Sequence, residues 1–236
     1  MDWSSASDSH RGNKRARNED AVFASSHLGL WAVADGMGGH KAGDYASETI
    51  AQMLADLNLS QDLSECVDLV EDGMLEVNDH LRRHARTQCD GNTVGSTVVV
   101  LIVRGEVGVA LWAGDSRLYR MRGRLMSQIT RDHNPVSDLL DSGSVTEEEA
   151  LNTDTHIITR AVGGQRDLHL DVAVFDVQPG DTMLLCTDGL YREIEPQSIY
   201  DALQHDVDKA VTLLMKDCLQ GPARDNVSLV VARAEH

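Results

Sequence analysis

Positive charge is scarce in this chain: 21 Lys and Arg stand against 38 Asp and Glu, a formal net charge of −17 over 236 residues. Binding a nucleic acid through its phosphates needs an excess of Lys and Arg, so the balance argues against a nucleic-acid partner. Cysteine is sparse as well. Cys66, Cys89, Cys186 and Cys218 form no C-x-x-C pair and no His/Cys cluster, which offers zinc no tetrahedral sulfur set and suits reduced thiols in a cytoplasmic protein. Long hydrophobic runs are missing too. The longest, V-V-V-L-I-V at 98–103, has a strand's length, so membrane insertion is not expected, and the polar start M-D-W-S-S-A-S-D does not look like a signal peptide. With only four Pro and no Gly/Ser-rich linker, nothing divides the chain, and a single domain over 1–236 is expected.

What the chain does have is aspartate where strand-like runs end. Residues 28–43 read L-G-L-W-A-V-A-D-G-M-G-G-H-K-A-G: an apolar run, then Asp35, then a glycine-rich stretch. A carboxylate at the lip of a buried strand is costly unless a cation meets it. Gly36, Gly38 and Gly39 predict a sharp turn that brings backbone close to a ligand, so a carbonyl can join the carboxylate as a hard oxygen donor. The arrangement recurs. The run 107–112 leads to Asp115, the run 182–186 leads to Asp188, Asp225 stands just before the run 227–231, and Asp20 closes R-x-x-N-E-D. Any one of these is ordinary as a turn residue, but as a set they supply hard oxygen ligands suited to Mg²⁺ or Mn²⁺.

Eight short motifs in one order carry a resemblance: R-A-R-N-E-D (15–20), D-G-M-G-G-H (35–40), G-S-T (95–97), G-D-S-R (114–117), T-R-D-H (130–133), I-T-R-A-V-G (158–163), T-D-G-L (187–190) and D-N-V-S (225–228). Together they span nearly the whole chain, and the sequence resembles the metal-dependent serine/threonine protein phosphatases of the type 2C class in their compact bacterial form. The resemblance implies an α/β (α+β) fold, a four-layer α-β-β-α sandwich of two mainly antiparallel sheets, with a small flap subdomain over about 131–164. It implies that Asp35 bridges two Mn²⁺ or Mg²⁺ ions, that Gly36 lends its carbonyl, and that Asp188 and Asp225 complete the first site. Asp115 would share a third, looser ion with Asp188. Either Glu19 or Asp20 would reach a metal or a water on it; Asp20 is taken as the ligand and Glu19 as its support. Arg15 would grip the substrate phosphate, and Thr97 and Asn226 would hold the ligands by hydrogen bonds.

The local patterns agree with that fold. Residues 28–34 pair naturally with 21–23 as a hairpin, 95–102 reads as one buried strand, and a further hairpin turns near Gly123. Ala46, Ile50, Met53, Leu54 and Leu57 recur at helical spacing, as do Cys66, Leu69, Val70, Met74, Val77 and Leu81. Residues 168–177 predict a strand, two helices are expected after Pro196, and 227–232 closes the sheet. Within the flap, Thr146 and Glu149 fit a capping box, and Asn152, Thr153, Asp154, Thr155 and His156 depart from the family's usual His-Pro and arginine.

No Cys or His is placed by a motif to attack phosphorus, so a water shared between two ions is the expected nucleophile. Protonation of the leaving oxygen is the weak point. Many eukaryotic relatives carry a histidine directly after Asp-Gly, where this chain has Met37; His40, three residues on, is the substitute on offer. The expected activity is hydrolysis of phosphoserine and phosphothreonine in proteins. By resemblance the chain opposes a serine/threonine kinase and acts on that kinase's targets, including kinases that control type VI secretion, and a monomer is expected. The alternative is a catalytically silent module that binds phosphoproteins, which the full set of matched carboxylates disfavours. An enzyme of the partner-switching type, acting on a phosphorylated anti-sigma antagonist, is disfavoured by the flap-length insert after Thr130.

Overall fold

The computed structural model describes residues 1–38, 42–141 and 157–235. In chain order these give β1 (Trp3–His10), β2 (Asp20–Ser25), β3 (Leu30–Gly38), α1 (Gly43–Asp56), α2 (Leu63–Gln88), β4 (Val94–Ser96), β5 (Val98–Arg104), β6 (Val107–Ala113), β7 (Arg117–Arg122), β8 (Leu125–Gln128) and α3 (Pro135–Asp141). After the gap come β9 (Asp171–Asp176), β10 (Thr182–Cys186), α4 (Asp188–Tyr191), α5 (Pro196–Leu203), α6 (Val207–Gln220) and β11 (Val227–Ala234). One sheet runs β1-β11-β10-β7-β8. The other runs β2-β3-β5-β6-β9, with β4 paired to the end of β3. Every pairing is antiparallel.

Three apolar layers hold the sandwich together. Between the sheets, Trp31, Val33, Val99 and Leu101 meet Leu118, Met183, Leu185 and Val230. Outside the second sheet, α1 and α2 lay Ile50, Leu54, Met74 and Leu81 onto Leu30, Val100 and Leu111. Outside the first, α5 and α6 cover Leu184, Leu229 and Val231 with Ile199, Leu203 and Leu214. Central strands therefore bury both faces, which is why β5 is an unbroken apolar run and does not alternate. Each fully buried side chain of this size contributes about 1.5–3 kcal/mol. The four-layer α-β-β-α architecture expected from the resemblance is the architecture of the chain.

Several local expectations need correction. The run 95–102 is two strands, broken at Thr97, because Thr97 turns its N–H to the carbonyl of Asp35. The predicted turn after Asp35 does not occur there: β3 continues to Gly38 and pairs Gly36 with Ser96 and Gly38 with Val94. Residues 168–170 precede β9, with Leu168 turned into the helix-side core. Leu69, assigned to the apolar stripe of α2, is exposed. Strand β1 was not anticipated, since W-S-S-A-S-D-S-H lacks apolar alternation; it forms at a sheet edge by pairing all eight residues with β11. The hairpin at Gly123 is present, with that glycine at φ 59°. Thr146, Glu149 and residues 152–156 of the flap lie outside the described residues, as do Gly39 and His40.

Candidate metal centre

The second sheet sets the first two carboxylates side by side. In the β2–β3 ladder Asp20 lies directly across from Asp35. Thr97, at the break between β4 and β5, holds Asp35 from both sides of its peptide. The Asp35 N–H donates to Thr97 Oγ1 at 3.1 Å, and the Asp35 carbonyl accepts from Thr97 N–H at 2.9 Å and from Ser96 Oγ at 2.9 Å. Glycine is required next to it. A Cβ on Gly36 would sit 2.1 Å from the Gly43 carbonyl oxygen and 2.4 Å from that of Glu19, so backbone packs there where a side chain would otherwise stand.

The first sheet brings two more, and the connection from β6 to β7, between the sheets, a third. Thr187, at the end of β10, donates its hydroxyl to Asp20 Oδ2 at 2.9 Å and accepts the Ser228 N–H at 3.0 Å, which ties the two sheets together beside Asp188. Asp225 precedes β11. Its neighbour Asn226 accepts the Glu19 N–H at 2.9 Å and donates to the carbonyls of Arg11 and Arg17 at 3.0 and 2.7 Å, fixing the N-terminal motif against this edge. Asp115 sits in the turn after β6. His133 accepts the Gly114 N–H at 3.0 Å, and the Tyr191 hydroxyl donates to the Asp115 carbonyl at 2.9 Å.

These carboxylates feel one another. Burial pushes the Asp20 carboxyl up to about 7; the Ser228 and Thr187 hydroxyls oppose that rise, and the charges of Asp188 and Asp225 reinforce it. Asp35 keeps some solvent contact, yet protein packs densely around its carboxylate. Desolvation therefore raises it well above the usual range, and Asp20, Asp188, Asp225 and Asp115 all add to the rise. Burial raises Asp115 too, against the pull of Arg192. Among the described residues Asp20 Oδ1 and Asp115 Oδ1 are buried with no hydrogen-bond partner. Hard anionic oxygens, crowded and unsatisfied, are a donor set that suits a hard divalent cation.

Arginine stands in the same cluster. Arg15 pairs with Asp225 Oδ2 at 2.6 Å, and Arg192 reaches Asp115 Oδ2 and Asp188 Oδ2, each at 3.0 Å. Among the described residues no three acidic, histidine or cysteine side chains stand grouped tightly enough to hold an ion without rearrangement. Beside the cluster opens a cavity of about 550 Å³, lined by Asp188, Asp225, Arg192, Arg224, Arg117 and Tyr191 among others.

Of the residues singled out from the sequence, Asp20, Asp35, Asp115, Asp188, Asp225 and Arg15 come together, with Gly36 and Thr97 packed at Asp35 and Asn226 behind Asp225. Glu19 stands at the edge of the cluster, where its carboxyl feels Arg15 and Asp225. Its carboxyl lies by Gly43, and its pKa is raised by burial and then by Asp44. Sequence reasoning missed Thr187, Tyr191 and Arg192. The last had a readable signal, since it follows Asp188 by four residues, the spacing at which helical side chains meet.

Comparison with known proteins places this geometry. The family model described as Protein phosphatase 2C matches residues 7–219. The serine/threonine protein phosphatase PstP of Mycobacterium tuberculosis is 33% identical over 229 residues, covering 96% of this chain and 44% of PstP, so the chain spans less than half of that relative. The serine/threonine phosphatase Stp of Listeria monocytogenes is 32% identical over 95% of this chain and 93% of its own length. Among solved structures, PppA, described as a key regulatory component of T6SS in Pseudomonas aeruginosa, superposes with a TM-score of 0.91 at 40% identity, covering 99% of this chain and 98% of PppA. The catalytic domain of PstP in complex with two manganese ions superposes at 0.86 with 33% identity, covering 100% and 99%.

Proposed function

Because the chain belongs to the protein phosphatase 2C family, we propose that it hydrolyses phosphoserine and phosphothreonine in proteins at a centre loaded with Mn²⁺ or Mg²⁺. The observation that carries this reading is the convergence on Asp35 of Asp20, Asp188, Asp225 and Asp115, drawn from both sheets. Asp20, Asp35, Asp188, Asp225 and the Gly36 carbonyl would hold two ions. When bound, the ions acidify water to give a nucleophile at neutral pH and neutralise charge on the phosphoryl oxygens. The chain's own groups do the rest. Thr97 and Ser96 lock the Asp35 peptide, Thr187 orients Asp20, and Asn226 carries the segment that presents Arg15. Arg15, about half exposed at the rim, offers a guanidinium fork to two phosphate oxygens once it leaves Asp225. Met37 cannot protonate a leaving oxygen, and His40 lies outside the described residues.

We place the substrates among targets of a bacterial serine/threonine kinase, and likeness to PppA supports a role in type VI secretion control. No helix among the described residues is long and apolar enough to cross a membrane. The test is phosphate release from a phosphothreonine peptide with Mn²⁺ and with chelator. Release should require the metal and be abolished in Asp35→Ala and Asp188→Ala. A protein that binds the peptide without consuming it is a phosphoprotein-binding module, and this reading then fails.

A further inference from the structure

Asp115 and Asp188 stand where the two sheets and α4 meet, and a guanidinium already bridges them. Arg192 Nη2 lies 3.0 Å from Asp115 Oδ2, and its Nε lies 3.0 Å from Asp188 Oδ2. The bridge is built into the backbone. Arg192 caps α4 with its N–H on the Asp188 carbonyl at 3.0 Å, and the preceding Tyr191 donates to the Asp115 carbonyl at 2.9 Å. Tyr191 is itself held by Arg117, whose guanidinium lies 3.6 Å from the ring centre and pairs with Asp132 at 2.7 Å. The short helix, the Asp115 turn and the arginine are therefore positioned as one unit.

We infer that Arg192 is a resident cation occupying the position where Asp115 and Asp188 would share a third divalent ion, so that such an ion binds only by displacing the guanidinium. Mg²⁺ and Mn²⁺ need carboxylate oxygens at roughly 2.0–2.2 Å. Asp115 Oδ2 and Asp188 Oδ2 both face the guanidinium at 3.0 Å, so an ion seated between them would meet its bulk and its like charge while the guanidinium stays. Asp115 is 2% exposed, and its Oδ2 answers to Arg192, so removing Arg192 leaves a buried charge that a metal would satisfy. The exchange touches the two-ion centre on Asp35 only through Asp188, since Asp20 and Asp225 keep their own partners, Thr187 and Arg15. The inference rests on the metal-centre reading above and specifies the number of ions.

Mn²⁺ stoichiometry decides the matter, counted by titration calorimetry and by the electron paramagnetic resonance signal of free Mn²⁺. The unmodified chain should bind two equivalents tightly. Arg192→Met should gain a third, tighter than any further binding to the unmodified chain by roughly tenfold or more, the worth of charge-assisted hydrogen bonds removed. Asp115→Asn combined with Arg192→Met should lose that third equivalent and keep the other two. Arg192→Lys, which keeps charge but not the fork, should fall between and serves if the methionine variant does not fold. Equal third-ion affinity in unmodified chain and Arg192 variants, or a third equivalent that survives Asp115→Asn, overturns the inference alone. No tight Mn²⁺ binding by the unmodified chain overturns both it and the metal centre.

Discussion

At the scale of single residues, the aspartates were legible from local pattern, whereas their supports Thr97 and Asn226 were reached only through the resemblance and Thr187 not at all. Asp35 shows itself because an apolar strand runs straight into a carboxylate and glycines follow, a pattern whose electrostatic cost needs an answer. Thr97 is only a β-branched residue inside a β-branched run, and nothing local marks the break it makes between β4 and β5. Arg192 was half hidden: its four-residue spacing from Asp188 is readable, but its reach to Asp115, 77 positions earlier, is not. The weight on Thr97 is testable. Thr97→Val keeps the shape but leaves the Asp35 N–H and the Ser116 hydroxyl without their partner at 3.1 and 2.7 Å. A buried donor left unsatisfied costs about 1–3 kcal/mol, to be read from urea unfolding. Because Asp35 shifts with its peptide, Mn²⁺ affinity or phosphate release should fall ~10- to 100-fold, as supports of metal ligands usually show.

At the scale of elements, strands buried on both faces and helices with one apolar stripe could be read from pattern, while elements made by partners could not. Strand β1 exists because β11 offers a free edge and because Trp3 packs on Trp31 with ring centres 5.0 Å apart. Strand β9 lies inside the run 168–177 read as a strand, but its bounds were not legible, because Val172 and Val174 on its outward face are exposed apolar residues that blur the alternation. The segment carrying I-T-R-A-V-G returns to the sheet through Val162, which bridges Ser96, and through Arg160, which pairs with Asp171 at 2.6 Å. His133 closes the same junction with Asp171 at 3.1 Å. Burial pushes the Asp171 carboxyl up, but His133 and Arg160 outweigh it and hold it below its ordinary 3.8. A depressed folded pKa stabilises the chain above the unfolded value and loses that contribution as pH falls through the folded one. Asp171→Asn should therefore melt below the unmodified chain at pH 7, with the gap closing as pH drops beneath the usual carboxylate range. A gap that stays constant into acid would show that the junction does not depend on this charge.

At the scale of the whole molecule, the four-layer sandwich makes one chemical consequence unavoidable: carboxylates from both sheets meet in a chain that already carries −17. Two divalent ions would take that to −17 + 4 = −13, so the loaded protein would stay acidic and the proposed phosphoprotein substrate would have to be captured by local cations such as Arg15 and those lining the cavity. Self-repulsion of this kind opposes the compact state, and any ion that binds only the folded cluster stabilises it by mass action. At about a hundred times its dissociation constant such an ion adds about 2.7 kcal/mol, which for a domain of this size is roughly 5–11 °C of Tm. Simple screening would also raise Tm, so the comparison must be made at fixed ionic strength: Mn²⁺ against NaCl, each with and without chelator. The centre requires that Mn²⁺ exceed NaCl, that chelator erase the difference, and that Asp35→Ala abolish it. If NaCl matches Mn²⁺ at equal ionic strength, the ions are answering the surface charge and the carboxylates on Asp35 do not form a binding centre.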